Sequence, residues 1–255
     1  MSGIGDRGFH LACWYQRSLN IQIDQAINSD RILLHFGAVD YFAKVWVNGL
    51  LVSTYEGGHT PFSADITFAL NNNGDQIVTV IAEDDLHDLS KPRGKQDWQL
   101  EPHSIWYPRT TGIWQEVWIE RVGEIYIEKI RWTPHMEEFS IQFEATINHY
   151  LHEQNLSIEI TLWHKDRLLA KDTYQVLDAQ TDRRVILSDP GIDDFRNELL
   201  WSPERPTLID ATIRIKNGDI VLDEFMSYTA LRSVNILRDR FMLNGRPYPL
   251  RMVFD

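Results

Sequence analysis

The chain has 255 residues and a formal charge of −12, with 37 acidic against 25 basic side chains, so it lacks the basic surface that nucleic acid or an anionic membrane requires. Its single cysteine, Cys13, excludes an intrachain disulfide, so stability must come from packed cores, which this length is ample to form. No apolar run approaches the roughly 20 residues of a membrane-spanning helix, residues 1–10 lack the apolar centre of a signal peptide, and the cysteine usage favours a reducing, cytoplasmic setting.

In chain order, a first block covers 1–122. Ile21-Gln22-Ile23, 32–36 and 77–81 read as strands from their apolar, β-branched content. Val45-Trp46-Val47 and Leu50-Leu51-Val52 flank Asn48-Gly49, a two-residue hairpin signal. Residues 71–75 form a polar loop. The stretch 84–108 is long, polar and aromatic with little periodicity, and a loop of that length in a compact domain is more often functional than idle.

A second block covers 123–232. Ile141, Phe143, Ala145 and Ile147 alternate with polar residues, as do Leu156, Ile158, Ile160 and Leu162, and Ile209, Ala211, Ile213 and Ile215. Strict period-2 alternation in short strands indicates a small antiparallel sandwich. A last segment, 233–255, carries an Asn244-Gly245 hairpin turn and then 250–254, an apolar run that reads as the opening of a buried strand. A core-type strand at that point leads to the expectation of a longer protein. The fold class expected is all-β.

Four segments, in order, resemble the family 2 glycoside hydrolases, the group of β-galactosidase and β-glucuronidase. Tyr41-Phe-Ala-Lys-Val-Trp-Val-Asn-Gly49 with Gly57-Gly-His-Thr-Pro-Phe62 resembles the opening sugar-binding jelly roll. Arg109-Thr-Thr-Gly-Ile-Trp-Gln-Glu-Val-Trp-Ile-Glu120 is similar to that domain's closing strand, and Leu200-Trp-Ser-Pro-Glu-Arg-Pro-Thr-Leu208 to a signature of the immunoglobulin-like second domain. Phe241-Met-Leu-Asn-Gly-Arg-Pro-Tyr-Pro-Leu-Arg251 resembles the entry into the (β/α)8 catalytic barrel. The resemblance implies a jelly roll over 1–122, N-terminally incomplete, an immunoglobulin-like sandwich over 123–232, and a linker and first hairpin of a barrel over 233–255. An incomplete jelly roll would leave a sheet edge open to self-association into a homo-oligomer.

Retaining glycoside hydrolysis needs two carboxylates about 5–5.5 Å apart. The resemblance puts both on barrel strands beyond Asp255, and no acid in this chain substitutes for them. Asp84 and Asp85 are adjacent and would point to opposite faces of an extended chain. No catalytic residue, metal or cofactor is therefore assigned. The family's jelly roll also contributes an aspartate six residues before the closing glycine, and here Trp106 stands six before Gly112. Candidate substrate-binding residues are Arg93, Lys95, Gln96, Asp97, Trp98 and Trp106. For Asp97 the competing reading is a loop carboxylate satisfied by local backbone amides.

In the stretch 113–120, Ile113, Val117 and Ile119 share one face and read as core, opposite Trp114 and Trp118. Trp46 likewise lies opposite Val45 and Val47. Large aromatics on a polar face indicate a contact surface, so Trp46, Trp114 and Trp118 are interface candidates, for a barrel or second sheet, for sugar stacking, or for burial under the long loop. His149 and His152 make no metal site. The expected partners are a carbohydrate and the barrel of the same chain. The function expected is a non-catalytic scaffold and active-site rim, and the alternative is a stand-alone carbohydrate-binding or protein-interaction module.

Overall fold

A computed structural model describes residues 8, 10–21, 30–72, 74–85, 87–148, 150, 155–187 and 198–253. It divides into two compact units, Met1–Val122 and Gly123–Asp255.

In the first unit the alternating pattern sets which faces are buried. Strands β1 (Ala12–Leu19), β2 (Arg31–Phe36), β3 (Val39–Asp40), β4 (Phe42–Val47), β5 (Leu50–Glu56), β6 (Phe62–Asp65), β7 (Gln76–Glu83), β8 (Gly112–Ile113) and β9 (Val117–Val122) form three sheets, ordered β1-β7-β4-β5, β6-β2-β9 and β3-β8. Ala43, Val45 and Val47 of β4 and Val78, Val80 and Ala82 of β7 are buried against Leu34 and Phe36 of β2. The two larger sheets therefore face each other as a jelly-roll-type sandwich, with alternate side chains outside. Asn48 and Gly49 join β4 to β5 with φ of 49° and 84°, the positive values a type I′ turn requires. The Asn48 amide also donates to Ala69 O (2.9 Å) and Gln76 Oε1 (2.6 Å), and its Oδ1 accepts from Ile77 N (2.9 Å). The turn is thereby stitched to the next loop. Among the described residues β1 is the edge of its sheet.

Two expectations need correction. The strand read across 113–120 is broken at 114–116, where Gly37 N donates to Glu116 O (2.8 Å) and the Trp114 indole N–H to Gly58 O (2.7 Å). Ile113 and Ile119 still pack on the core, but Val117 opens β9 at its rim and is exposed. The apolar run from Leu250 forms no strand over 250–253, and Leu250, Met252 and Val253 are exposed. A strand needs a neighbour for its backbone groups, and none of the described residues supplies one there. The strand expected at 21–23 falls mostly outside the described residues, as do His149 and His152.

The second unit is an immunoglobulin-like sandwich. Strands β10 (Ile127–His135), β11 (Ser140–Ile147), β12 (Leu156–His164), β13 (Arg167–Gln175), β14 (Gln180–Ile186), β15 (Ile209–Asn217) and β16 (Ile220–Thr229) form sheets β10-β11-β14 and β13-β12-β15-β16. Ile141, Phe143, Ile158, Ile160, Leu162, Ile209 and Ile213 are fully buried between them, which the period-2 pattern predicts. Outside β12, Glu159 is nearly buried. Burial works to raise its pKa, but Arg214 (3.0 Å), Lys171 (3.5 Å) and Lys216 (3.8 Å) hold it below the usual carboxylate range. A small sheet, β17 (Val234–Leu237), β18 (Arg240–Leu243) and β19 (Arg246–Pro247), lies within this unit. Its Asn244-Gly245 turn is tied back by Asn244, which accepts from Ser233 N (3.0 Å) and donates to Trp201 O (2.9 Å).

Candidate functional site

The loop 84–110 leaves β7 and returns at β8, and it is built around its own polar side chains. Asp97 is 2% exposed. Its Oδ1 accepts from Gln99 N (3.0 Å), and its Oδ2 accepts from His103 N (2.7 Å) and lies 2.7 Å from His103 Nδ1. Burial works to raise the Asp97 pKa, but these three donors outweigh it and hold the carboxyl below its usual range. Asp97 N donates to Tyr107 O (2.9 Å) and Tyr107 N to Lys95 O (2.8 Å), so the two limbs of the loop are paired.

Gln96 ties the loop to the sandwich. Its Nε2 donates to Asp40 Oδ2 (3.1 Å) and its Oε1 accepts from Thr110 N (3.0 Å). Asp40 ends β3, which pairs with β8 as Val39 with Ile113 and Asp40 with Gly112. Burial raises the Asp40 pKa, against the Gln96 hydrogen bond and with help from the charge of Asp84. Gly58 makes room for this carboxylate, since a Cβ there would lie 2.5 Å from Asp40 Oδ1. Asp84 sits beside Lys91 (3.5 Å) and Arg109 (3.7 Å).

Asp40, Asp84, Lys91, Gln96 and Arg109 enclose a cavity of about 20 Å³. A single water needs about 10–15 Å³ on this scale and ligand sites run to hundreds. This cavity, which Asp85, Asp88 and Asp97 also border, is thus too small for a sugar ring, and Asp40 and Asp84 are engaged in bracing the loop. Among the described residues no group of three or more His, Cys, Asp or Glu is placed to hold a metal ion.

The sequence candidates separate by what they touch. Gln96 and Asp97 face inward. Arg93, Trp98 and Trp106 come together, with the guanidinium 4.7 and 5.6 Å from the two ring centroids and the indoles edge to face at 5.4 Å. Trp98 also meets the His103 ring edge on at 5.2 Å. Lys95 lies 5.7 Å from the Tyr107 ring. Leu100, Ile105 and Tyr107 are exposed on the same loop.

The three interface candidates, Trp46, Trp114 and Trp118, form no single patch. Trp46 stacks on Trp14 at 5.8 Å outside the β1-β7-β4-β5 sheet, whereas Trp118 stacks on His35 at 4.9 Å outside the opposed sheet. Trp114 lies between β8 and β9, bonded to Gly58 O, with its ring edge against His59. Sequence reasoning missed Asp40 and Thr110, which the β3–β8 pairing brings together, His103, which meets Asp97 inside the loop, and Gly58, which lies against Asp40.

In the second unit, Trp132, Pro134, Trp201, Leu208, Tyr228 and Arg232 line an open groove of about 400 Å³. Met226 (81% exposed), Tyr228, Val234 and Ile236 continue an apolar surface.

Fold and site together define a protein of two β-sandwiches, the first presenting a braced aromatic loop. Residues 7–121 match the sugar binding domain of the glycosyl hydrolases family 2, and residues 125–232 match a second domain of the same family. The chain belongs to glycosyl hydrolase family 2. It is 24% identical over 251 residues to a β-galactosidase of Thermoanaerobacter pseudethanolicus, covering 96% of this chain and 32% of that protein. It is 23% identical over 260 residues to the β-glucuronidase of Rattus norvegicus, covering 92% of this chain and 37% of the relative. The fold is shared with a family 2 member from Bacteroides cellulosilyticus, with a TM-score of 0.70 at 18% identity over 92% of this chain and 31% of the other. The chain thus spans about a third of the length of the curated relatives it matches.

Proposed function

We infer that this chain is the non-catalytic N-terminal portion of a β-glycosidase that hydrolyses O-glycosyl bonds with retention, and that it serves as scaffold and active-site rim. The observation that carries the reading is the match of two consecutive family 2 domains in an enzyme-type order, over about a third of each relative's length. The chemistry agrees with it. Retaining hydrolysis needs an acid/base and a nucleophile facing a sugar, and the carboxylates gathered at the loop, Asp40, Asp84, Asp85, Asp88 and Asp97, border a cavity of about 20 Å³.

The exposed apolar surface of Met226, Tyr228, Val234 and Ile236 is the surface for a catalytic barrel, since apolar patches of that kind mark contacts. The loop 84–110 is the rim element, with Trp98 and Trp106 as stacking surfaces and Arg93 and Lys95 as hydrogen-bond donors. In the intact enzyme Trp98→Ala should lower kcat/KM about tenfold or more, because stacked aromatic contacts are worth about 1–3 kcal/mol, with the melting temperature nearly unchanged. An equal loss of stability and activity would reduce the loop to packing.

A further inference from the structure

Arg93 and Lys95 are held by aromatic rings and not by carboxylates. The Arg93 guanidinium lies over Trp98 and Trp106, and Lys95 Nζ over Tyr107. Neither makes an ion pair or side-chain hydrogen bond with a described residue. A ring engages a guanidinium through its flat face, while the N–H donors lie in the guanidinium plane. A cation–π contact therefore consumes no N–H donor.

Most acids of the loop are engaged by the loop itself. Asp84 neighbours Lys91 and Arg109, and Asp97 is enclosed by its three donors. Asp85 accepts from His87 N, and Asp88 from Ser90 N and Oγ. In a chain of net charge −12, two cations without an ion-pair partner among the described residues, set on an aromatic platform, point to an anionic ligand.

We propose that the Arg93–Trp98–Trp106 cluster, aided by Lys95, binds a saccharide that carries a carboxylate or a sulfate. The sugar's C–H face packs on an indole and the anion takes the guanidinium N–H groups in a bidentate, charge-assisted contact. This assignment rests on the rim reading and adds to it the charge of the ligand. Asp40, Asp84, Asp85, Asp88 and Asp97 border the same cavity as Arg93 and oppose an anion. Asp84 is paired with Lys91 and Arg109, and Asp40 and Asp97 are held by hydrogen bonds. Asp85 and Asp88 are exposed, so their influence is damped over about 8 Å at physiological ionic strength, whereas the Arg93 contact is direct.

The test is calorimetric titration of the 255-residue chain with three probes: trigalacturonate, neutral galactotriose, and galactose 6-sulfate. Trigalacturonate or the sulfated sugar should bind about tenfold or more tighter than galactotriose, and added salt should narrow the gap. The ratio between the two acidic probes identifies which anion the site prefers. Arg93→Gln should remove the preference with an unchanged melting temperature, and Arg93→Lys should retain part of it. Equal binding of acidic and neutral probes overturns the proposal, as does an acidic preference that survives Arg93→Gln, or no binding of any probe at millimolar concentration. If Trp98→Ala weakens acidic and neutral probes alike while Arg93→Gln changes neither, the rim reading stands and the charge selectivity falls.

Discussion

Gly112 shows how a single residue sets the site. Its φ is 103°, and a Cβ would lie 2.0 Å from the Tyr15 hydroxyl, which accepts from Ile113 N at 3.3 Å. Gly112→Ala combines a backbone conformation that side chains resist with overpacking, so it should cost roughly 2–4 kcal/mol in a denaturant melt. A cost near zero would mean that Tyr15 moves freely and does not fix the β8 end of the loop. Asp97 and Asp40 act on pH dependence with opposite signs. The Asp97 pKa is lowered in the fold, so its contribution is complete above the unfolded value near 3.9 and is lost as pH falls through the folded one. The Asp40 pKa is raised, so its contribution is present below about 3.9 and is lost as pH rises through the folded value. Thermal melts of the isolated variants across pH 2–8 separate them. Asp97→Asn should remove the acid-side loss and lower stability at neutral pH, because the amide N–H₂ that replaces one oxygen cannot accept from the donors that oxygen served. Asp40→Asn should remove the decline on the rising side. Unchanged pH profiles in both variants would contradict the bracing roles.

At the scale of elements, the strands were readable where the pleat imposes strict alternation. Ile209, Ala211, Ile213 and Ile215 are all buried, and β12 presents Ile158, Ile160 and Leu162 to the same core. Ile158→Ala should therefore cost about 2–5 kcal/mol in the second unit, the range for a buried aliphatic truncation. A cost below 1 kcal/mol would show a core loose enough to collapse around the gap. The Asn48-Gly49 and Asn244-Gly245 turns were readable too, because residues tolerant of positive φ close such hairpins. The candidate site was readable in part. Arg93 and Trp98 stand out from the composition of one loop, and Trp106 from the family resemblance, as the residue six before Gly112. The inward direction of Asp97 was not, since no periodicity governs a loop. Asp40 was missed because β3 and β8 are two residues each, too short to carry a pattern, and their pairing joins positions 72 apart (Asp40 and Gly112). Val117 failed for a related reason: the break at 114–116 ends the alternation that made it look like core.

At the scale of the whole molecule, two sandwiches provide rigid cores, an aromatic loop and an exposed apolar face, while the acids of the first unit's enclosed cavity serve architecture. The most direct measurement is hydrolysis of 4-nitrophenyl β-D-galactoside and β-D-glucuronide by the purified 255-residue chain, beside the same chain carried in an enzyme with its barrel. No turnover above buffer by the chain alone, and turnover when the barrel is joined, is the expected result. Turnover by the chain alone that survives purification and is abolished by Asp40→Asn or Asp84→Asn would contradict it.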